Sequence, residues 1–270
     1  MGCLYVVAGP IGNLADCSHR AGKVLGSVDL ILAEDTRTTK RLLDHIDVST
    51  RMLSYNEHNH RQRLPAAMAA LSAGDVALVS DAGTPSISDP GTRVVDEAWR
   101  SGFEVTPVPG PSAVIAALSV SGFNASPFEF IGFWPRSSSD SSKMIDQLTL
   151  SATTVAFESP IRLAGTLRDL GERLPDRRLL IARELTKLHE EVLRGTCGEM
   201  AEKLADRIWR GEITVVIEGT NKPTGREAGS NESEDEAELK ERARRISRHT
   251  GVSRRDVRRV LLALRNNDNI

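Results

Sequence analysis

The first 120 residues alternate between short apolar runs and helical patterns, and this alternation limits the folds that the chain can adopt. Helical spacing of apolar residues follows each run. Strands that alternate with helices form a parallel sheet with helices on both faces, because each parallel connection requires a crossover. The apolar runs that favour β-strands are Leu4–Ala8, Val28–Ala33, Met52–Tyr55, Val76–Ser80 and Glu104–Val108. The sequence therefore predicts an α/β domain over residues 1–124.

The fourth run leads into a segment that cannot continue as regular secondary structure. Residues 76–91 read VALVSDAGTPSISDPG, so a buried strand places Asp81 at its carboxyl end and a loop with two Gly and two Pro follows. Pro cannot donate a backbone hydrogen bond, and Gly adopts backbone angles that are closed to other residues. Open α/β sheets bind ligands at the carboxyl ends of their strands. We therefore predict that this loop contacts a small-molecule cofactor.

The other predicted strands also end in polar or Gly/Pro clusters, which should meet at the same edge of the sheet. The first cluster, GPIGN at residues 9–13, has neither the GxGxxG pattern of dinucleotide sites nor a phosphate loop with a Lys. After the second strand, Glu34 and Asp35 are adjacent, so one can face the site while the other pairs with Arg37 or caps the next helix. His58 lies in a polar cluster after the third strand. At each position a structural role is the alternative to a functional one.

A second set of strand patterns begins at Phe128. The five strings are FEFIGF, TTVAFE, RRLLIAREL, EEVLRGT and ITVVIEG, with helical patterns near Leu163–Leu174 and Glu199–Ile208. They predict a second α/β domain over residues 125–220, with a sheet that can be mixed. We interpret SSSDSS at residues 137–142 as a polar loop.

Charged residues follow two of these later strands. Arg183, Glu184 and Lys187 follow one strand, and Arg162 follows another. A strand-end Arg–Glu pair can be a simple salt bridge. A nearby Lys also suits a phosphate group, or a hydroxyl group that must lose its proton.

The C-terminal part of the chain changes composition twice. Residues 221–238 contain six carboxylates and almost no apolar side chain, which is typical of a linker. Residues 240–265 contain ten Lys and Arg against two carboxylates, and apolar residues keep helical spacing across a Thr-Gly turn. Ser253 and Asp256 have the spacing of a capping box. We predict a basic helix-turn-helix-like module over residues 239–270 that contacts a polyanion, with a solvated helical face as the alternative.

Composition argues against several other classes of protein. Lys and Arg total 35 against 37 Asp and Glu, so the overall charge is nearly balanced. There is no stretch of about 18 apolar residues, as a membrane span requires, and no basic segment of a signal peptide. The three cysteines, Cys3, Cys17 and Cys197, are widely spaced. We expect a cytoplasmic protein with no membrane partner, no disulfide framework and no metal site.

Nine strings of the sequence occur in a recognisable order: LYVVAGPIGNLAD, LILAEDTRTT, NEHN, VSDAGTPSISDPG, VPGPSA, IGFWPR, FESPIR, ARELTK and ITVVIEG. Together they resemble the tetrapyrrole methylase superfamily over roughly residues 3–219. Within it they look like the branch that methylates the ribose 2′-hydroxyl of a decoding-region cytidine in 16S ribosomal RNA.

The resemblance implies a two-domain α/β enzyme, normally a homodimer, that binds S-adenosylmethionine between a parallel-sheet N-terminal domain and a mixed-sheet second domain. The basic C-terminal helical module also resembles one found on many members of the branch. The residues implied to contact the cofactor are Gly9, Pro10, Gly12, Asp81, Ala82, Gly83, Ile87, Asp89, Ser112, Ala113 and Gly132. The implied partner is 16S ribosomal RNA or the small ribosomal subunit, contacted by Arg37, Asn59, Arg136, Arg162, Arg254, Arg255 and Arg258.

Two positions depart from the pattern of that branch. The first loop reads AGPIGN where PTPIGN is common, so Ala8 and Gly9 replace a Pro and a Thr. Arg258 stands where an aromatic residue is common. The first departure predicts a modest change in cofactor contacts. The second concerns the way in which the C-terminal module contacts its polyanion, and it leaves the basic character of the module unchanged.

Methyl transfer from a sulfonium group needs no metal and depends mainly on in-line positioning of the acceptor. A ribose hydroxyl is a poor nucleophile, so a base, or a cation that lowers its proton affinity, should assist. The candidate catalytic residues are Glu34, Asp35, His58, Arg183, Glu184 and Lys187. Of these, Asp35 and Lys187 are the first choices.

Two other functions fit the same sequence. The chain could methylate a corrin or porphyrin precursor, although the basic module and the AEDTR and NEHN strings argue against this. It could instead be a non-catalytic RNA-binding or ribosome-assembly factor that kept the fold. Phosphoryl transfer through Asp81, Asp89 and Mg²⁺ is disfavoured because the chain lacks a phosphate loop with a Lys.

Overall fold

The chain divides into two compact units, Met1–Asn221 and Lys222–Ile270, and both sheets lie in the first. The predicted linker and most of the predicted basic module, including Arg254 and Arg258, lie outside the described residues, as does Asp89. The computed structural model describes residues 2–87, 91–148, 152–204, 206–219, 247, 253 and 255–257.

The N-terminal half of the first unit is built on a five-stranded sheet in the order β3-β2-β4-β1-β5, in which every pair of neighbours is parallel. Its strands are β1 (Cys3–Val7), β2 (Leu30–Ala33), β3 (Met52–Ser54), β4 (Val76–Val79) and β5 (Glu104–Val108). The helices between them are α1 (His19–Ser27), α2 (Thr36–His45), α3 (His60–Ala73) and α4 (Thr92–Arg100). The predicted parallel sheet is confirmed, and the carboxyl ends of its strands share one edge.

Helices cover both faces of this sheet. On one face, Leu71 of α3 and Val94 of α4 pack against Leu78 of the sheet. On the opposite face, α1 and α2 contribute Leu25 and Leu43. Because each fully buried side chain of this kind stabilises the fold by roughly 1.5–3 kcal/mol, the sheet is a firm base for the irregular loops at its edge.

A second five-stranded sheet has the order β6-β7-β10-β8-β9. Its strands are β6 (Phe128–Phe133), β7 (Thr153–Glu158), β8 (Arg178–Arg183), β9 (Glu191–Thr196) and β10 (Ile213–Ile217). The pair β6–β7 is parallel and the other pairs are antiparallel, so the sheet is mixed. Since β10 runs against β7 and β8, its amino end lies beside their carboxyl ends.

Four more helices accompany the second sheet. One face packs against α7, and the other packs against α5, whose Val114 and Leu118 meet Val155 and Val216 of the sheet. These helices are α5 (Ala113–Ser121), α6 (Ser138–Leu148), α7 (Leu163–Arg173) and α8 (Cys197–Leu204). Helix α8 ends at Leu204, earlier than the predicted end at Ile208. No helix among the described residues is long and apolar enough to cross a membrane.

The interpretation of residues 137–142 as a polar loop is wrong, because α6 begins at Ser138. The Ser137 hydroxyl accepts the backbone N–H of Asp140 at 3.1 Å and donates to its carboxylate at 2.7 Å, which forms a helix cap. Ser141 is buried and accepts the indole N–H of Trp134 at 2.9 Å. The serines therefore start and anchor a helix whose apolar residues follow them in the sequence.

The Ser253 half of the predicted capping box is confirmed, because its hydroxyl caps the following helical segment. The Ser253 hydroxyl donates to the Asp256 carboxylate at 2.7 Å and accepts the Asp256 backbone N–H at 3.2 Å. A helical segment at residues 255–257 follows it.

Candidate active site

The loops that follow β1 and β4 are joined by two backbone hydrogen bonds. The Gly9 N–H donates to the Gly83 carbonyl at 2.8 Å, and the Gly83 N–H donates to the Pro10 carbonyl at 3.2 Å. Gly83 has φ +72°, and a Cβ at this position would lie 3.3 Å from Ile11. A side chain would therefore be strained as well as crowded, and a glycine is required where the two loops meet.

Beside these loops lies a cavity of about 430 Å³, here called cavity A. It extends to the second sheet, where Phe133 and Phe157 form an aromatic wall with ring centroids 5.6 Å apart. Gly132, another expected cofactor residue, directly precedes Phe133. The expected cofactor residues that line cavity A are Ala82, Gly83, Ile87, Ser112 and Ala113. The volume and the mostly apolar lining suit a small-molecule ligand.

A second cavity of about 480 Å³, here called cavity B, lies on the other side of the first loop. Helix α2 contributes Thr38, Thr39 and Arg41 to its wall, and Lys187 approaches from the second sheet. Four residues expected to contact the cofactor line this cavity rather than cavity A, namely Gly9, Pro10, Gly12 and Asp81. Both cavities are lined by Ile11, Ala82 and Glu212, so the two spaces adjoin.

Lys187 is held between two carboxylates at this junction. Its Nζ lies 2.9 Å from Glu184 Oε1 and 3.0 Å from Glu212 Oε2. Burial lowers the pKa of Lys187, but the hydrogen bonds and charges of the two carboxylates outweigh it, so the pKa is raised above its usual value. The Glu212 backbone N–H and then Lys187 lower the pKa of Glu184. Lys187 is therefore a cation at neutral pH and not a base.

The first loop packs directly onto this lysine. A Cβ on Gly12 would lie 2.5 Å from Cγ of Lys187, which is closer than real Cβ contacts occur. The backbone N–H of the next residue, Asn13, donates to the Thr186 hydroxyl at 3.0 Å. These contacts link the loop after β1 to the loop after β8 and fix the position of the ammonium group.

The carboxyl ends of β2 and β4 exchange hydrogen bonds through their acidic residues. The Asp35 N–H donates to Asp81 Oδ1 at 3.0 Å, and the Asp81 N–H donates to Glu34 Oε2 at 3.1 Å. Partial burial is the main cause that raises the pKa of both Glu34 and Asp81, although Asp81 remains exposed to solvent. Asp81 lines cavity B and Glu34 lines neither cavity. Asp81 is therefore a carboxylate of increased proton affinity inside the site.

The side chain of Asp35 is engaged in holding helix α2. It caps the helix by accepting the Arg37 backbone N–H at 2.7 Å, and it also pairs with the Arg37 guanidinium at 2.7 Å. These hydrogen bonds from Arg37 lower the pKa of Asp35 to about 2. Neither residue lines a cavity. Of the two arrangements that the sequence left open, Asp35 caps and pairs while Glu34 turns toward Asp81.

Other expected site residues lie away from the cavities. His58 is exposed, and the amide of Asn59 donates to Ser54 at 3.0 Å within its own loop. Arg183 donates to Glu191 at 3.2 Å, and Arg162 lies 2.6 Å from the buried carboxylate of Glu158. Two further expected RNA-binding residues are exposed, Arg136 and Arg255.

The site residues absent from the sequence-based expectations include Thr39, Arg41 and Glu212. Glu212 precedes a strand, whereas the expected residues follow strands. It reaches the site because β10 is antiparallel to its neighbours. Its one sequence signal is the Gly-Glu pair directly before an apolar run. Thr39 and Arg41 lie inside α2, after its capped first turn. Helical periodicity alone does not distinguish them from the other polar residues of the helix.

A family model matches most of the chain. The model of the Tetrapyrrole (Corrin/Porphyrin) Methylases matches residues 3–201. The chain belongs to this family. Membership confirms the resemblance seen in the sequence and makes the chain a methyltransferase.

Curated relatives named ribosomal RNA small subunit methyltransferase I are similar to the chain over most of its length. The protein of that name from Thermotoga maritima is 48% identical over 220 residues, which cover 81% of this chain and 99% of the relative. The one from Bacillus subtilis is 43% identical over 223 residues, which cover 82% of this chain and 76% of the relative.

Solved structures of the family share the fold at low identity. A crystal structure of diphthine synthase matches with a TM-score of 0.61 and 15% identity, over 81% of this chain and 90% of that one. Uroporphyrin-III C-methyltransferase from Thermus thermophilus, complexed with S-adenyl homocysteine, matches with a TM-score of 0.56 and 18% identity, over 80% and 92% of the two chains. The likeness confirms the expected tetrapyrrole methylase fold.

Proposed function

We propose that the chain transfers a methyl group from S-adenosylmethionine to the ribose 2′-hydroxyl of a decoding-region cytidine in 16S ribosomal RNA. The observation that carries this proposal is the pair of adjoining cavities. Cavity A is mostly apolar, and cavity B presents a lysine cation and an aspartate to its contents. Such a pair can hold a donor and an acceptor side by side, which is the main requirement of methyl transfer.

Cavity A fits the cofactor. The required glycine at position 83 leaves room for close approach to the backbone, and the aromatic wall of Phe133 and Phe157 can contact a flat ring. Ser112 and Thr84 offer hydroxyl groups among the apolar residues. S-adenosylmethionine supplies a methyl group on a positively charged sulfur when bound there.

The residues of cavity B act on the acceptor oxygen. The protonated Lys187 stabilises the negative charge that develops on the oxygen as it loses its proton. Asp81 takes that proton, because its Oδ2 accepts no hydrogen bond from the described residues and its pKa is raised by burial. This assigns Asp81 to the acceptor, whereas the sequence suggested the cofactor. Glu34 and Asp35 act as positioning residues around Asp81 and α2.

Two features support RNA as the acceptor. The relatives similar over most of the chain carry the name of a ribosomal RNA methyltransferase. The sequence of the C-terminal region carries ten Lys and Arg within residues 240–265, which suits a phosphate backbone.

The proposal also covers the organisation of the protein. The second domain is proposed to begin near residue 125. The protein is proposed to act in the cytoplasm, as a homodimer, on 16S RNA or the small ribosomal subunit.

The experiment compares two acceptors of a labelled methyl group in separate reactions. Purified protein and S-adenosylmethionine with a labelled methyl group are offered small ribosomal subunits that lack the modification, or a porphyrin precursor. The proposal expects label in the 16S RNA alone. Label in the porphyrin precursor alone would overturn it, and tight RNA binding without any label would favour a non-catalytic assembly factor.

A further inference from the structure

Cavity B is lined by an arginine that has no partner among the described residues. Arg41 forms no ion pair and no hydrogen bond with any described residue. The other cations of helix α2 are paired, since Arg37 binds Asp35 and Lys40 binds Asp44. The ammonium group of Lys187 is paired with two carboxylates, which makes it a weaker site for a phosphate than an unpaired arginine. Arg41 is therefore the cation in this cavity that is available to an anion.

Thr39, two residues before Arg41 in α2, also lines this cavity and is 2% exposed. Its hydroxyl finds no hydrogen-bond partner among the described residues. A buried hydroxyl without a partner costs free energy that a ligand can recover by bonding to it. A threonine in a helix has two accessible χ1 rotamers, so its hydroxyl and methyl groups can exchange places to meet a ligand.

Three other charged residues line cavity B and have a different chemistry. Asp81, Lys187 and Glu212 bring charges of both signs, and the two carboxylates leave oxygens that can accept hydrogen bonds. These groups suit a hydroxyl-bearing sugar better than a second anion. The lining of the cavity therefore offers a cation to an anionic group and carboxylate oxygens to hydroxyl groups.

We propose that cavity B binds one ribonucleotide of the RNA acceptor, with its phosphate on Arg41, a sugar or phosphate oxygen on Thr39 and its 2′-hydroxyl toward Lys187. This assignment rests on the proposed function and names the site that holds the acceptor. A volume of about 480 Å³ is that of a single small ligand and not of a helix. The nucleotide must therefore be splayed out of any RNA duplex, as in most sequence-specific RNA recognition.

The first test replaces Arg41 and uses its neighbour as a matched control. Arg41→Gln and Lys40→Gln each remove one positive charge from α2, but Lys40 is paired with Asp44 and does not line cavity B. RNA affinity is measured against salt concentration. Arg41→Gln should weaken binding and reduce the logarithmic salt slope by about 0.7, the value for one phosphate contact on a single strand. Lys40→Gln should change neither, and equal effects of both variants would overturn the proposal.

The second test replaces Thr39 by valine, which keeps the shape and removes the hydroxyl. Because that hydroxyl has no partner in the part of the chain that the structure describes, Thr39→Val should keep or raise the melting temperature. The substitution should raise the KM for RNA about three- to tenfold, because one hydrogen bond to the ligand is lost. Affinity for S-adenosylmethionine should not change. A lower melting temperature with an unchanged KM would show a structural role and overturn the assignment.

Failure of this assignment can be told apart from failure of the proposed function. If the wild-type protein transfers no labelled methyl group to RNA, the proposed function fails, whatever results the variants give. If it labels RNA and both Arg41→Gln and Thr39→Val act like the unmodified protein, only the assignment of cavity B fails.

Discussion

At the scale of single residues, charge separates the roles of Lys187 and Asp81. Lys187 is stabilised as a cation by Glu184 and Glu212, whereas burial makes the Asp81 carboxylate a better proton acceptor. Both line the cavity assigned to the acceptor. The sequence placed Lys187 among the catalytic candidates, but it could not reveal the two carboxylates that keep it protonated. One of them comes from the amino end of an antiparallel strand.

Lys187→Ala should slow methyl transfer by about a hundredfold in single-turnover experiments, because it removes a charge that stabilises the developing oxyanion. Affinity for S-adenosylmethionine should stay constant, since Lys187 does not line cavity A. Lys187→Arg keeps the charge and should restore part of the rate. A normal single-turnover rate in the alanine variant would remove Lys187 from the mechanism.

The pH dependence of the rate should follow Asp81. The carboxylate accepts a proton only when ionised, so the rate should fall as the pH drops through its pKa, which burial raises above the ordinary value of an aspartate. The raised pKa of Lys187 keeps that side chain protonated through the neutral range, so no decline should occur there as the pH increases. In the Asp81→Asn variant the side-chain oxygen can still accept the Asp35 N–H. The variant should transfer methyl groups much more slowly, and its remaining rate should no longer fall at acidic pH. An unaltered pH profile in this variant would exclude Asp81 as the base.

At the scale of elements, the site is made by loops that bind one another. The loop after β1 bonds to the loop after β4 through Gly9 and Gly83, and it packs on Lys187 through Gly12. Alternating strands and helices predict that such loops share one edge of a parallel sheet. They do not predict which loops touch, because that depends on strand order.

Gly12→Ala should displace Lys187, because the added Cβ would lie 2.5 Å from its Cγ. We expect kcat to fall at least tenfold, by analogy with other misplaced catalytic groups, while affinity for S-adenosylmethionine changes little. Gly165→Ala in α7 is a control for adding a methyl group, because this glycine has no atom within 4 Å of the added Cβ and no positive φ. If Gly12→Ala left kcat intact, the loop would not position the lysine.

At the scale of the whole molecule, the two sheets and their order along the chain follow from apolar periodicity and strand-end composition. The helix at Ser138–Leu148 does not, because a run of serines has low helix propensity until one serine caps the helix and another is buried against Trp134. The division of the site into two cavities is also absent from the sequence pattern. It depends on the position of the first loop between the sheets.

The basic C-terminal region should increase affinity for RNA without affecting the cofactor. The chain without residues 239–270 keeps the whole unit Met1–Asn221, so calorimetric affinity for S-adenosylmethionine should be unchanged. RNA binding should weaken and its salt dependence should decrease, because ten cations within residues 240–265 are lost. An unchanged salt slope would show that these cations do not contact phosphate.

The central claim is that the two cavities join a methyl donor to a ribose hydroxyl of RNA. The most direct measurement digests 16S RNA to nucleosides after reaction with the protein and labelled S-adenosylmethionine, and identifies the labelled product by mass spectrometry. The proposed function predicts 2′-O-methylcytidine as the labelled nucleoside, and far less of it when Lys187 is replaced by alanine. A label on the base, or RNA without label, would contradict the account.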